Sequence, residues 1–334
     1  MTKNTKKGYG TYYPYWEKFC NWLKIEKITI SEDKILNFIA WCYHFTHLNS
    51  NLTSRAITAA ISFHKDNGIS FDRKQHTSIR RLLDGYQSLR PPDKRIKLPL
   101  SEYHIQKIFK YCVDINKYTS LLPGCAMLIG YSLLLRPGEV GYQPRSDEKN
   151  LYNKAVKWHP NFENPQEISM KVDASKTNRW KHKTEIIYAH CNCDKSIRII
   201  PCPVHLLKHW INMRNAYHKI KFKSKDFIFV HKTGKPFRYD HLNNWLQNAI
   251  AIVARKMDIK LDPSNYTAHT LRQGGCTDMA RHGVPSWRIE MTGRWSSKKW
   301  KKTYINTDWR DIAKISGFSV STLLDQIKSQ PVDN

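Results

Sequence analysis

Through residues 9–89 the apolar positions recur at spacings of three and four, the period of amphipathic helices and not of strands. Four stripes stand out: Trp16, Phe19, Cys20 and Leu23; Ile35, Leu36, Phe38, Ile39 and Cys42; Ala56, Ile57, Ala60, Ile61 and Phe63; and Ile79, Leu82, Leu83 and Tyr86. Ser31 ahead of charged residues fits a helix start, and Asn67-Gly68 fits a stop. The pattern predicts a small all-α domain over residues 1–90. Arg90 and the following residues 91–99 hold three prolines and four basic residues, a composition that neither continues a helix nor buries itself. That segment reads as a linker.

Residues 100–334 mix two periods. Ser101 opens a helix running to Tyr111, and the apolar run over 125–135 reads as a helix buried on all sides, stopped by Arg136-Pro137-Gly138. Strand-like alternation over 168–172 and 185–190, joined by a charged connection over 175–184, predicts a β-hairpin with a basic tip. Helical periodicity returns over 205–217, over 239–257 and from Ala268 onward. The expected architecture is therefore mainly α with a small β-hairpin sheet, an α+β arrangement in two domains.

Composition narrows the class. With 334 residues, 40% of them hydrophobic, there is material for two packed cores, which excludes disorder throughout. The uncharged stretch over 118–135 contains Pro123, Gly124 and Gly130 and suits a core helix better than a membrane span, so no membrane partner is expected. The first ten residues are polar and lysine-rich, with no secretion signal. An intracellular protein follows, nuclear in a eukaryote and otherwise in the cytoplasm or nucleoid, with its cysteines reduced. The 55 Lys+Arg against 28 Asp+Glu give a formal charge of +27, and nucleic acid is the commonest partner for such an excess. A bias toward lysine, asparagine and isoleucine is the competing source of basicity, but it does not explain clustering.

The clustering is sharpest near the C-terminal end. Thr267 suits the N-cap of a helix whose first turns carry His269 and Arg272, three apart near the positive helix end, where phosphate is favoured. Gly274 and Gly275 are costly in a helix unless backbone or DNA approaches closely. Gly283 ends that helix, Pro285 starts another, and Gly293 ends it before the turn Arg294-Trp295. Ser296 or Ser297 then caps a helix bearing Trp300 and Tyr304, four apart.

At these residues the chain resembles the tyrosine recombinase, or phage integrase, family, including the recombinases of Crypton- and DIRS-type mobile elements. The family signature is His-x-x-Arg, then His or Trp, then a nucleophilic Tyr. It reads here as His269-Thr-Leu-Arg272, Trp295 and Tyr304, at intervals of 23 and nine positions. Tyr304 is one of 17 tyrosines and means little without that spacing. Leu133-Leu-Leu-Arg136-Pro-Gly-Glu139 matches the family's earlier arginine, and Lys176 matches its hairpin lysine, with Lys181 and Lys183 as competitors. Gln273 departs from the His or Arg of many members.

The resemblance implies a two-domain clamp on double-stranded DNA. Residues 1–90 would be a helical core-binding (SAM-like) domain, 91–99 the linker, and 100–334 the catalytic domain with a C-terminal tail. It implies site-specific recombination through a 3′-phosphotyrosine intermediate, by four protomers on two DNA sites, with a monomer in solution as an open alternative. No cofactor is then required for the chemistry. An inactive domesticated DNA-binding protein and a type IB topoisomerase-like enzyme are the rival readings.

The chemistry agrees with that assignment. Attack on a phosphodiester builds charge on the non-bridging oxygens, which Arg136, Arg272, His269 and the Trp295 indole are equipped to receive. A tyrosine hydroxyl, with a reference pKa of about 10, needs a base or a positive field. His269 is the candidate base, and Lys298, Lys299, Lys301 and Lys302 the field, although that run also suits a solvated helix face. Lys176 is the candidate acid for the departing 5′ oxygen. Arg136 has a purely structural alternative in pairing with Glu139, and Trp300 one as a core aromatic. A second constellation, Cys191-x-Cys193 with Cys202-Pro-Val-His205, offers four soft ligands of the kind tetrahedral zinc takes, with His190 as a substitute ligand. Buried reduced thiols are the alternative there.

Overall fold

The computed structural model describes residues 3–91, 97–142, 151–172, 185–191, 193, 201–219 and 223–295, with side chains from Gly8 onward. The chain divides into two compact units, Met1–Arg95 and Ile96–Asn334. Each has its own apolar cluster.

Among its described residues the first unit has four α-helices: α1 (Lys3–Leu23), α2 (Glu32–Phe45), α3 (Ser50–Asp66) and α4 (Thr77–Leu89). Ser31 caps α2 by accepting from the Lys34 amide at 3.2 Å, and Asn49 caps α3 through Leu52 at 3.0 Å. The helical stripes meet in one core in which Trp16, Phe19, Ile35, Phe38, Ile57 and Ile79 are fully buried. Asn67 closes α3, followed by Gly68 at φ +82°.

The second unit is mostly helical around a three-stranded sheet. Its helices are α5 (Glu102–Cys112), α6 (Tyr118–Ser132), the short α7 (Pro137–Val140), α8 (Pro203–His218), α9 (Tyr239–Met257), α10 (Ala268–Arg281) and α11 (Ser286–Gly293). The strands β1 (Val156–His159), β2 (Glu167–Val172) and β3 (Glu185–His190) pair antiparallel in the order β1-β2-β3. The hairpin runs in the register Val172 opposite Glu185 and Glu167 opposite His190. Strand β1 adds to the expected hairpin. Along β2 the buried Ile168, Met170 and Val172 face the core, which pins that register, since a slip by one would turn them outward.

Helix α6 is buried on all sides, as the apolar run implies, but it begins at Tyr118 and stops at Ser132. Leu134 turns left-handed at φ 49°, directing the chain into Arg136. The end of the linker departs from its expected exposure. Pro99 and Leu100 are buried, and the amides of Leu98 and Leu100 donate to the carbonyls of Asn265 and Thr270 at 3.1 and 3.4 Å. This strap explains Gly274, because a Cβ there would lie 1.8 Å from the Leu100 carbonyl oxygen. A Cβ on Gly275 would lie 2.3 Å from the Tyr131 carbonyl oxygen. Close backbone approach, not helix propensity, sets both glycines.

Candidate active site

Three stretches far apart in sequence meet in the second unit: the turn between α6 and α7, the first turns of α10, and the end of α11. Arg272 is their junction. It is 1% exposed, its Nη1 donates to the Leu134 carbonyl at 2.6 Å, and its Nη2 donates to the Gly293 carbonyl. The guanidinium carbon lies 4.5 Å from the centroid of the Trp295 ring, a stacked cation–π arrangement. A guanidinium held by two carbonyls and one aromatic face keeps its charge and its orientation.

Trp295 is fixed from below by Gly293, where a Cβ would fall 1.9 Å from the indole. That corrects the expectation for this glycine. Gly293 is the last helical residue, needed for space, and the left-handed cap falls on Arg294 at φ 54°. A non-glycine residue there costs of order 1 kcal/mol.

Arg294 lies against two carboxylates and is hydrogen-bonded to one of them. Its Nη2 donates to Glu139 Oε2 at 2.5 Å, and its Nε lies 3.4 Å from Glu185 Oε2, on the first residue of β3. Burial lowers the pKa of Arg294 from its usual value, Glu139 opposes that shift and Arg136 adds to it. Its Nε and Nη1 are buried and make no hydrogen bond among the described residues. Glu139, almost fully buried, also takes the Arg136 amide at 2.7 Å and Arg136 Nη1 at 2.9 Å. The pairing of Arg136 with Glu139 is thus present, yet the Arg136 side chain keeps 23% exposure. Its guanidinium is aligned by the carboxylate without being enclosed.

His269 stands exposed on the first turn of α10, whose N-cap residue Thr267 is extended and donates its amide to Thr270 Oγ1 at 3.2 Å. The structure therefore brings Arg136, Arg272 and Trp295 together, with His269 at the start of the same helix as Arg272. Lys176, Lys181, Lys183, Ser296, Ser297, Lys298, Lys299, Trp300, Lys301, Lys302 and Tyr304 lie outside the described residues. Sequence reasoning missed Arg294 and Glu185 and gave Glu139 only a pairing role. The one signal available was the Arg136-x-x-Glu139 spacing, which a single helical turn brings face to face.

At the other end of β3, Cys191, Cys193, Cys202 and His205 place their ligand atoms within 4.8 Å of one another. His205 Nδ1 lies 3.5 Å from Cys191 Sγ and 3.2 Å from Cys193 Sγ, and the Cys193 amide donates to Cys191 Sγ at 3.3 Å. Cys202 is the N-cap of α8. His190 is not part of this group, and its Nδ1 pairs with Glu167 Oε2 at 2.8 Å.

Residues 166–310 match the phage integrase family, a span that runs from the sheet past Tyr304 and takes in Lys176, His269, Arg272 and Trp295. Among solved structures, the Tn1549 transposon integrase in complex with transposon right end DNA is 13% identical, with a TM-score of 0.56 over 98% of this chain and 95% of that one. The XerH site-specific recombinase, bound to its palindromic difH substrate in a post-cleavage complex, is 11% identical. Its TM-score is 0.54 over 90% of this chain and 74% of that one. No curated protein sequence matches the chain. The chain has the fold of these recombinases, mainly α with a small antiparallel sheet. Within it, residues 166–310 form a phage integrase family domain.

Proposed function

We propose that this protein is a site-specific DNA recombinase that cuts and rejoins strands of double-stranded DNA through Tyr304. The observation that carries this reading is the junction at Arg272, where the Arg136 turn and Trp295 converge on one buried guanidinium. In the reaction the Tyr304 oxygen attacks the phosphorus, the bond to the 5′ oxygen breaks, and a 3′-phosphotyrosine forms. His269 accepts the tyrosine proton and Lys176 supplies one to the departing 5′ oxygen, so charge and protons balance. Arg136, Arg272 and the Trp295 N–H receive the charge that builds on the non-bridging oxygens.

Residues 1–90 act as a DNA-binding domain that closes the clamp with the catalytic domain of residues 100–334 across the linker at 91–99. Four protomers assemble on two DNA sites and serve a mobile element or virus inside the cell. The DNA-bound relatives and the charge of +27 support the DNA partner. No cofactor enters the chemistry, and zinc, at the separate Cys/His cluster, is structural.

A nicked target site tests this reading, because loss of the short 5′ strand blocks religation. Wild-type protein is expected to form a covalent complex that survives denaturant. Tyr304→Phe keeps the ring and removes only the attacking oxygen, so it is expected to bind DNA and trap none. DNA binding with no trapping by the wild type would favour an inactive DNA-binding protein instead.

A further inference from the structure

The sheet joins two groups that the proposed chemistry leaves unconnected. Strand β3 begins at Glu185, beside Arg294 in the arginine cluster, and ends at His190, directly before Cys191. Its six residues span about 20 Å. Among the described residues it is an edge of the sheet, hydrogen-bonded to β2 alone, and its Ile186 and Tyr188 are more than half exposed. An edge strand held along one side needs an anchor if its first residue is to stay in place.

We propose that Cys191, Cys193, Cys202 and His205 bind one zinc ion, which clamps the far end of β3 to the start of α8 and so keeps Glu185 set against Arg294. The donor set is three thiolates and an imidazole, soft ligands that select zinc over magnesium or calcium. The spacing fits as well. A tetrahedron with bonds of about 2.3 Å to sulfur and about 2.0 Å to nitrogen puts neighbouring sulfur and nitrogen about 3.5 Å apart. The two separations in the structure are 3.5 and 3.2 Å. The Cys193 amide bonded to Cys191 Sγ stabilises a thiolate there, as the partners of metal ligands do. Four protein donors fill a tetrahedron, which makes the site structural.

The ligands come from both sides of the joint. Cys191 and Cys193 follow β3, while Cys202 caps α8 and His205 lies in its first turn. A metal bound by both groups ties the strand to the helix. Glu185 then serves as a positioning residue: it holds Arg294, which shares Glu139 with Arg136. This last link rests on the proposed recombinase function, whereas the metal and the clamp do not.

The test uses the full chain. Metal analysis of protein purified without added metal is expected to give about one zinc per chain. Replacement by cobalt should produce the strong visible bands of a tetrahedral thiolate site, lost in Cys193→Ser. Hydrogen exchange before and after chelation reads the clamp itself. Amides of β3 are expected to exchange about tenfold faster, or more, without metal, while those of α6 hold. Covalent trapping on nicked DNA should fall with metal removal and return with zinc. Protein that binds neither zinc nor cobalt overturns the site, and unchanged β3 exchange overturns the clamp. Trapping that ignores metal removal overturns the link to Arg294. Wild-type protein that never traps DNA strikes the recombinase reading alone, leaving metal content and exchange to decide the rest.

Discussion

Arg214 and Arg294 are both buried in the second unit, and they are satisfied in opposite ways. Arg214, on α8, gives its Nη1 to Asn153 Oδ1, the Phe227 carbonyl and the Ile228 carbonyl, each at 3.0 Å. Burial pulls its pKa down to about 10, with Tyr118 and Asp226 opposing. Around Glu139 the partners are charges: among the described residues, Arg136 and Arg294 stand against Glu139 and Glu185. Among the described residues, Nε and Nη1 of Arg294 have no hydrogen-bond partner, and Arg136 reaches solvent. The first arrangement closes a core, whereas the second leaves capacity for an anion. Buried arginine alone therefore marks nothing; unfilled donors beside a partly exposed guanidinium mark a site.

The comparison breaks most visibly in cleavage. Arg136→Ala and Arg272→Ala should each reduce covalent trapping by about a hundredfold or more, of order 3 kcal/mol of transition-state stabilisation. Circular dichroism on Arg136→Ala should show the fold intact, since Arg294 remains to balance Glu139. Arg214→Ala should do the reverse, costing about 3 kcal/mol of stability through stranded carbonyls. A denaturation curve checks the loss, with trapping per folded molecule unchanged.

A pH dependence separates core from site further. His104, 2% exposed, has its pKa pushed down by burial to about 4 from its usual 6.5. The unfolded chain takes up that proton first, so this contribution is present above about pH 6.5 and is lost as pH falls toward about 4, with a size of about 3 kcal/mol. Thermal melts across that window should show the fall, and His104→Gln should flatten it. The smallest effect is expected at Trp295→His. An imidazole keeps an N–H donor, so trapping should drop by no more than about tenfold, or 1.4 kcal/mol. Complete loss would assign the indole to stacking on Arg272 instead of to phosphate contact.

How much was legible follows from the kind of signal each residue carries. The stripes of α1–α4 and the alternation of β2 and β3 are periodic, so they could be read directly. Helix α6 was harder to bound, because apolar continuity runs on through the left-handed Leu134 and marks no end. Strand β1 has four residues, two of them polar, and is defined by its pairing with β2. Gly274 and Gly275 were readable as close approaches, but nothing local says that Gly293 makes room for the indole that follows it. Arg272 and Trp295 carry a spacing. Glu185 and Arg294 carry none, since their meeting depends on how β3 and α11 pack.

Peptide mapping of the adduct trapped on nicked DNA tests the central claim most directly. After nuclease digestion, mass spectrometry should find the residual nucleotide on the peptide containing Tyr304, and Tyr304→Phe should yield no adduct. An adduct on any other residue, or one undiminished by Tyr304→Phe, would contradict the account.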